Sequence, residues 1–266
     1  MKRIAIVLLS LSCGLSAVAL AQSAVPVVDE PHHHLVFTGK NLRVFRVVVP
    51  AHSATEIHEH AVDYFWISVG ASQFVNATVG KDETTVTAAD GSVHYTRGGF
   101  AHAARVDGDK AFHNVTIELP QAQTNPRNLC EPVIADQPMD CAAAMTRATS
   151  LYSGAAVQPE FETDQTRVTL ITLPPHGTLG LARHREAPLL VAVDDVPGSV
   201  PITCPVTDDP KGYELQSRSG NTYRLKGRSK CTVRNDTHAT VRFLAIEFAP
   251  APKQKPFHGF HGTSHG

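Results

Sequence analysis

The chain has 266 residues, a hydrophobic fraction of 42% and a charged fraction of 18%, values typical of one large or two small globular domains. This composition excludes a disordered chain, a collagen-like repeat and a coiled coil. Lysine and arginine number 24 against 25 acidic residues, so the chain lacks the excess of basic residues that would indicate a nucleic-acid partner. Histidine is the outlier, with 15 residues, and imidazole binds metals and transfers protons near neutral pH.

The first 21 residues have the pattern of a secretory signal peptide. Lys2 and Arg3 precede an apolar run over residues 4–11, and Ala19-Leu20-Ala21 resembles a cleavage site. The run is shorter than the ~20 residues that span a membrane. We therefore expect cleavage after Ala21, a periplasmic or secreted protein, and no membrane partner afterwards.

The chain beyond this segment contains four cysteines. Export favours disulfides, and three pairings are possible. Proximity in sequence favours the disulfides Cys130–Cys141 and Cys204–Cys231. Free buried thiols are the alternative.

Short segments of alternating apolar residues, separated by turn residues, predict an all-β fold. Residues 42–49, 167–173 and 241–248 are the clearest strands, whereas a helical pattern is weak and lies mainly around residues 139–149. The sequence also contains an internal repeat, in which two segments of the first half align with segments of the second half without gaps. Residues 41–70 overlay 165–194, and residues 91–119 overlay 220–248.

This repeat divides the chain into two homologous β domains. We predict a first domain over residues 35–122 and a second over 155–250. The segment 123–154, with Cys130 and Cys141, is expected to be a linker. The tail, residues 251–266, is rich in glycine and histidine and is expected to be flexible.

Three histidines of the first repeat form a candidate metal site. His58 and His60 are two residues apart, so on a strand both imidazoles point to the same face. His102 follows the Gly98-Gly99 turn and can close the set from a later strand. Three neutral imidazoles leave coordination positions open on a divalent ion. Two polar residues at a barrel mouth are the alternative for the pair alone.

The layout resembles the cupin superfamily, whose first motif is G-x5-H-x-H-x3/4-E-x6-G and whose second is G-x5-P-x-G-x2-H-x3-N. The matching residues are His58, His60, Gly70, Gly91, Gly99 and His102. The resemblance implies an all-β chain of two tandem antiparallel jelly-roll barrels, a bicupin. It also implies one divalent transition metal ion, which in this family is Fe, Mn, Zn, Ni or Cu.

The carboxylate of the first motif departs from the family pattern. The family's glutamate would fall at Tyr64 or Phe65, whereas Asp63 lies one residue earlier and keeps the spacing to Gly70. Asp63 is therefore either a fourth metal ligand or a turn aspartate that binds backbone amides.

Three other residues are candidates for the pocket: Tyr64, Phe100 and His113. The run His32-His33-His34 is expected to be a loop before the first strand that only looks like a metal site.

The second repeat has lost most of the site. Ala182 replaces His58, Ala187 replaces Asp63 and Cys231 replaces His102, whereas His184 matches His60. We expect this repeat to be structural, either packing on the first domain or forming the surface of a homodimer.

These features support two functions. The first is a metal-dependent enzyme of the oxygenase or isomerase type that acts on a small molecule, with catalytic residues that the sequence does not identify. The second is a non-catalytic secreted protein that binds a metal or a ligand on the same fold. A double β-sandwich interaction module with incidental histidines is a third, simpler reading.

Overall fold

The computed structural model describes residues 23–182, 188–203, 213–225 and 230–248. The predicted signal peptide and the predicted tail lie outside these ranges. The described residues form two units, each a sandwich of two β-sheets. The all-β jelly-roll prediction is therefore confirmed.

The first unit comprises eleven strands and one short 3-10 helix, Val27–Asp29. The strands are β1 (Val25–Pro26), β2 (His33–Thr38), β3 (Arg43–Val49), β4 (Ser53–Ala54), β5 (His58–His60), β6 (Tyr64–Ser68), β7 (Ser72–Thr78), β8 (Thr84–Ala88), β9 (Val93–Thr96), β10 (Phe100–Val106) and β11 (Phe112–Glu118). Sheet A has the order β1-β5-β10-β7-β8, with β4 also paired to β10, and sheet B has the order β2-β3-β11-β6-β9.

The second unit comprises eleven described strands and one α-helix, α1 (Cys141–Leu151). The strands are β12 (Arg127–Asn128), β13 (Tyr152–Ser153), β14 (Ala156–Glu162), β15 (Thr166–Leu173), β16 (Thr178–Leu181), β17 (Leu189–Ala192), β18 (Val200–Thr203), β19 (Tyr213–Leu215), β20 (Thr222–Arg224), β21 (Cys231–Arg234) and β22 (Val241–Phe248). Sheet C has the order β12-β14-β15-β22-β17-β20, and sheet D has the order β13-β16-β21-β18-β19.

The two units repeat the same strand pairing. The ladder β3–β11 of the first unit corresponds to β15–β22 of the second. An ion pair at the end of each ladder repeats as well. Arg43 Nη2 lies 2.6 Å from Glu118 Oε2, and Arg167 Nη1 lies 3.6 Å from Glu247 Oε2.

The segment predicted as a linker is part of the second unit. Its β12 and β13 join sheets C and D, and Leu129 and Val133 are buried. The predicted disulfide between Cys130 and Cys141 is present at the start of α1. Cys231 is also disulfide-bonded, and its predicted partner Cys204 lies outside the described residues. Within the described ranges, no helix has the length and apolarity needed to cross a membrane.

A hydrophobic core joins the two units, because the outer face of sheet B packs against sheet C. Phe65 and Ile117 of the first unit share this core with Leu244 and Ile246 of the second. Strand β11 is consequently buried on both faces. Val115 and Ile117 are buried on the face toward the second unit, and Phe112, Asn114 and Thr116 line the interior of the first unit. The four sheets therefore stack in the order A, B, C, D.

We predict that Gly91→Ala destabilises this interface. Gly91 has a φ of 75°, and an added Cβ would lie 2.7 Å from Val193 Cγ1 of the second unit. We expect a loss of about 2–4 kcal/mol in the free energy of unfolding, from backbone strain and overpacking together, measured by urea denaturation. Gly80→Ala is the control, because Gly80 has a φ of 77° and open space around it. It should lose only about 1 kcal/mol, and equal losses would contradict the interface described above.

Candidate metal centre

Three histidines of the first unit meet on the inner face of sheet A. His58 and His60 share one face of β5, and each is 1% exposed. On the neighbouring strand β10, His102 is paired directly with His58. The ring centroid of His102 lies 4.5 Å from that of His58 and 5.4 Å from that of His60. The structure thus brings together the three histidines that the sequence selects.

A fourth histidine, His33, joins them from β2. One ring nitrogen of each of His33, His58 and His60 lies within 4.8 Å of the other two. The expectation that this histidine run is an uninvolved loop is therefore wrong. Strand β1 pairs in parallel with β5, which places Val25 opposite His58, and the chain then turns so that β2 begins at the cluster. The sequence signal for His33 was the acidic residue Glu30 three positions earlier. In the structure Glu30 is buried and its carboxylate contacts the His33 ring.

Each of the four imidazoles is held through its Nδ1 atom by an acceptor outside the cluster. The contacts are His33 to Glu30 Oε2 at 2.5 Å, His58 to the Glu56 carbonyl at 2.9 Å, His60 to Glu118 Oε1 at 3.2 Å, and His102 to Asn76 Oδ1 at 2.7 Å. A ring that donates from Nδ1 keeps the lone pair of Nε2 for another partner.

The Nε2 atoms of His58 and His102 are buried and have no hydrogen-bond partner. A buried polar atom without a partner is uncommon in a folded protein, because its desolvation is not compensated. Imidazoles oriented through Nδ1 by a carboxylate, amide or carbonyl are typical of metal ligands. These residues therefore fit a divalent ion bound between the Nε2 atoms.

Burial keeps these imidazoles neutral. It lowers the pKa of His58 to about 4 and that of His60 to about 3, with His33 contributing repulsion in both cases. The pKa of His102 falls to about 2 for the same reason, with added repulsion from His58 and His60. Neutral imidazole is the form that binds a metal, so at neutral pH these side chains are in the protonation state that a metal ion requires.

The two carboxylates that contact the cluster, Glu30 and Glu118, have pKa values shifted in opposite directions. Burial opposes ionisation of Glu30, but hydrogen bonds from His33 and His32 outweigh it and lower its pKa to about 2. Burial raises the pKa of Glu118, although Arg43 opposes the shift. Glu118 accordingly links the His60 ring to the Arg43 guanidinium.

Asp63 has other partners than the imidazoles. Its carboxylate accepts hydrogen bonds from the Tyr95 hydroxyl at 2.5 Å, from Arg97 Nη1 at 3.1 Å and from the Gly98 amide at 3.1 Å. These contacts join the start of β6 to the turn before β10. Three donors already satisfy this carboxylate, so the structure supports the turn role that the sequence left open and does not bring Asp63 into the cluster as a fourth ligand.

A cavity of about 510 Å³ opens beside the imidazoles. Tyr64 stacks on His60 with a centroid distance of 4.0 Å, and Phe100 also lines the cavity. The rest of the wall combines aromatic, aliphatic and threonine side chains with two amides, and it includes the exposed cations Lys81 and Arg97. The large aromatic residues and the amides are Trp66, Phe74, Phe112, Asn76 and Asn114.

His113 does not line this cavity, contrary to the prediction. It is exposed on β11, and it lies between two residues that do line the cavity, Phe112 and Asn114. Because alternate residues of a strand point to opposite faces, its side chain is on the wrong face of sheet B.

The second unit has no equivalent cluster in its described residues. Cys231, which replaces His102, is buried in a hydrophobic core together with Val157, which lies at the position equivalent to His33. The predicted counterparts His184 and Ala187 lie outside the described residues. The positions that form the histidine cluster in the first unit are thus used for packing in the second.

Searches with the sequence find no matching family model and no matching curated protein. Solved structures do match. AerE from Microcystis aeruginosa has a TM-score of 0.58 and 11% identity over 83% of this chain and 94% of its own. Salicylate 1,2-dioxygenase from Pseudaminobacter salicylatoxidans has a TM-score of 0.50 and 11% identity over 78% of this chain and 70% of its own. A cupin 2 conserved barrel domain protein from Leptotrichia buccalis has a TM-score of 0.49 and 9% identity over 86% of this chain and 100% of its own. The matches to AerE and to the dioxygenase show the fold, a double jelly roll of the cupin type.

We predict that the metal-free protein loses stability as the pH falls from about 6.5 to about 4. In this window the unfolded chain binds protons at histidines that stay neutral in the folded state, so unfolding becomes easier as protons are added. Each buried imidazole should cost about 2 kcal/mol at pH 5 relative to pH 7. Urea denaturation at several pH values measures this. The slope of the unfolding free energy against pH gives the number of protons taken up on unfolding, and His58→Gln should reduce this number by about one. An unchanged slope would contradict the burial of His58.

We also predict that Asp63→Asn binds a metal ion to the same extent as the wild type. The change weakens the contacts to Arg97 and Gly98 and should lower the free energy of unfolding by about 1–2 kcal/mol. The metal content, measured by atomic emission, should match that of the wild type. Loss of the ion in this variant, with its cooperative unfolding retained, would restore Asp63 as a ligand.

Proposed function

We propose that this chain binds one divalent transition metal ion in its first unit and acts as a metal-dependent enzyme on a small organic molecule in the adjoining cavity. The observation that carries the proposal is the pair of buried, unpartnered Nε2 atoms of His58 and His102 at the wall of that cavity. A hydrogen-bonded structural cluster would leave no such atoms without a partner.

The ion would be held by His58, His60 and His102, with His33 as a further ligand. Imidazole suits iron, copper, nickel and zinc, and a bound ion supplies either Lewis acidity or redox chemistry with dioxygen. Among the residues that the structure describes, no carboxylate belongs to the cluster, so the neutral imidazoles do not offset the positive charge of the ion.

The other cavity residues bind and position the substrate. The aromatic wall formed by Trp66, Phe74 and Phe112 favours a small molecule with an apolar body and displaces water from it. Burial raises the pKa of Tyr64, so its phenol stays protonated and can donate a hydrogen bond beside His60. Arg97 and Lys81 provide positive charge for a substrate oxygen.

Oxygen-dependent chemistry is the first reaction class to assay, because one solved protein of similar fold is named a salicylate 1,2-dioxygenase. Non-catalytic binding is the second candidate. It is favoured by the position of His113, which is exposed and leaves Tyr64 as the one acid–base residue among the predicted pocket residues.

Export to the periplasm or the medium is part of the proposal. It is supported by the pattern of residues 1–21 and by the Cys130–Cys141 disulfide, because disulfides persist in oxidising compartments.

We expect about one metal ion per chain in untagged protein from an oxidising host. His58→Ala, His60→Ala and His102→Ala should each lower the metal content by about tenfold or more, because each removes a ligand, and His33→Ala should lower it as well. Inductively coupled plasma mass spectrometry gives both the content and the identity of the ion.

His113→Ala is the matched control, since this histidine is exposed on the opposite face of sheet B. It should retain the ion. If the wild type binds no ion after reconstitution with iron, manganese, nickel, copper and zinc, the metalloenzyme proposal is wrong. If it binds the ion but consumes no dioxygen and converts no aromatic acid, the non-catalytic candidate is favoured.

A further inference from the structure

A second cavity, of about 250 Å³, lies between the two units and is separate from the metal centre. We call it the interunit cavity. Its charged and polar lining comes from both units: Asp90 and His94 from the first, and Glu131, Gln158, Glu160 and Arg242 from the second. His94 and Val133 also line the cavity beside the metal centre, so they form a wall between the two.

Glu160 is a buried carboxylate without a partner. It is 4% exposed, and no described residue forms a hydrogen bond or an ion pair with its side chain. It lies where β14 shifts register against β15, between Pro159 and Phe161. Such bulges redirect a side chain out of the regular alternation, and here the carboxylate lines the interunit cavity. An isolated buried carboxylate is costly unless a proton or a cation compensates it.

Glu131 adds a second carboxylate to the same cavity. It follows Cys130, whose disulfide to Cys141 fixes this segment, and its Oε1 accepts a hydrogen bond from the Gln158 amide at 2.6 Å. Burial, with a further contribution from the charge of Glu131, raises the pKa of Glu160 to about 8. The two carboxylates therefore face one cavity.

The arginine that lines the interunit cavity is already engaged. The Arg242 guanidinium lies 2.9 Å from Asp90 Oδ2 and 2.6 Å from Asp194 Oδ1. The His94 ring stacks on Trp66 and contacts the Ser92 hydroxyl, and burial lowers its pKa. Among the residues that line the interunit cavity, no free positive charge balances Glu131 and Glu160.

We propose that the interunit cavity binds a small organic ammonium ion between the carboxylates of Glu131 and Glu160. Three features select this class over a bare metal ion. The carboxylates do not form a three-ligand group with metal-like spacing in the described residues. The cavity is several times larger than the ~30 Å³ of one water molecule. Apart from Ser92, its remaining wall is apolar and includes Val93, Pro132 and Leu170, which suits the carbon body of an amine.

Binding of n-butylammonium to the full chain tests this proposal by isothermal titration calorimetry. We expect saturable binding of one ion per chain. We expect no binding of 1-butanol, which has the same carbon body without the charge. Glu160→Gln should weaken the binding by about tenfold or more, because the ammonium ion can displace the proton of the Glu160 carboxyl and pair with the carboxylate, whereas an amide offers it no charge. Glu131→Gln should weaken it less, because the hydrogen bond from Gln158 already partly compensates this carboxylate.

Asp82→Asn is the matched control, because Asp82 is an exposed acid outside the cavity, and it should bind like the wild type. Thermal unfolding of Glu160→Gln should occur at or above the wild-type midpoint, since the change removes an unpaired buried acid, and this separates lost binding from lost folding. Absence of saturable binding, or equal binding to Glu160→Gln, would overturn the proposal. Binding of calcium in place of the ammonium ion, with the same dependence on Glu160, would overturn the assigned ligand class.

Discussion

The structure of the first unit depends on how four imidazoles are oriented, three of them buried and that of His102 half-buried. Each Nδ1 contacts an acceptor that belongs to a different strand or turn, and this fixes which ring nitrogen faces the centre of the cluster. Buried neutral histidines in such contacts cost stability unless the inward nitrogen also finds a partner. The unpartnered Nε2 atoms of His58 and His102 therefore connect packing to function, because an ion is the partner that the geometry accommodates.

The second unit supports this site from a distance. Its sheet C covers the outer face of sheet B through the shared hydrophobic core, so β11 is held on both faces while its inner residues line the cavity. The corresponding positions of the second unit, such as Val157 and Cys231, are packed in a core of their own. One copy of the fold thus carries the histidine cluster, and the described part of the other packs against it.

The sequence predicts much of this because its signals are local. The alternation of apolar residues predicts strands that the structure places at Arg43–Val49, Thr166–Leu173 and Val241–Phe248. The spacing of His58 and His60 predicts a shared face, and the second glycine turn supplies His102. His33 was missed because its role depends on the parallel pairing of β1 with β5, which joins residues more than 30 positions apart and leaves no periodic pattern.

Two other residues show the same limit. The spacing of Asp63 to Gly70 suggests a ligand, but Tyr95, Arg97 and Gly98, which bind its carboxylate, come from a distant strand and turn. His113 depends on the register of β11, where a shift of one residue decides between the cavity and the solvent. Local patterns therefore predict which strands carry the site, whereas long-range pairing decides which side chains complete it.

X-ray absorption spectroscopy at the edge of the bound metal tests the central claim most directly. The account predicts a first shell of nitrogen with the multiple-scattering signature of several imidazoles, reduced by one imidazole in His33→Ala. A first shell dominated by carboxylate oxygen or by sulfur, or a spectrum unchanged in His58→Ala, would contradict it.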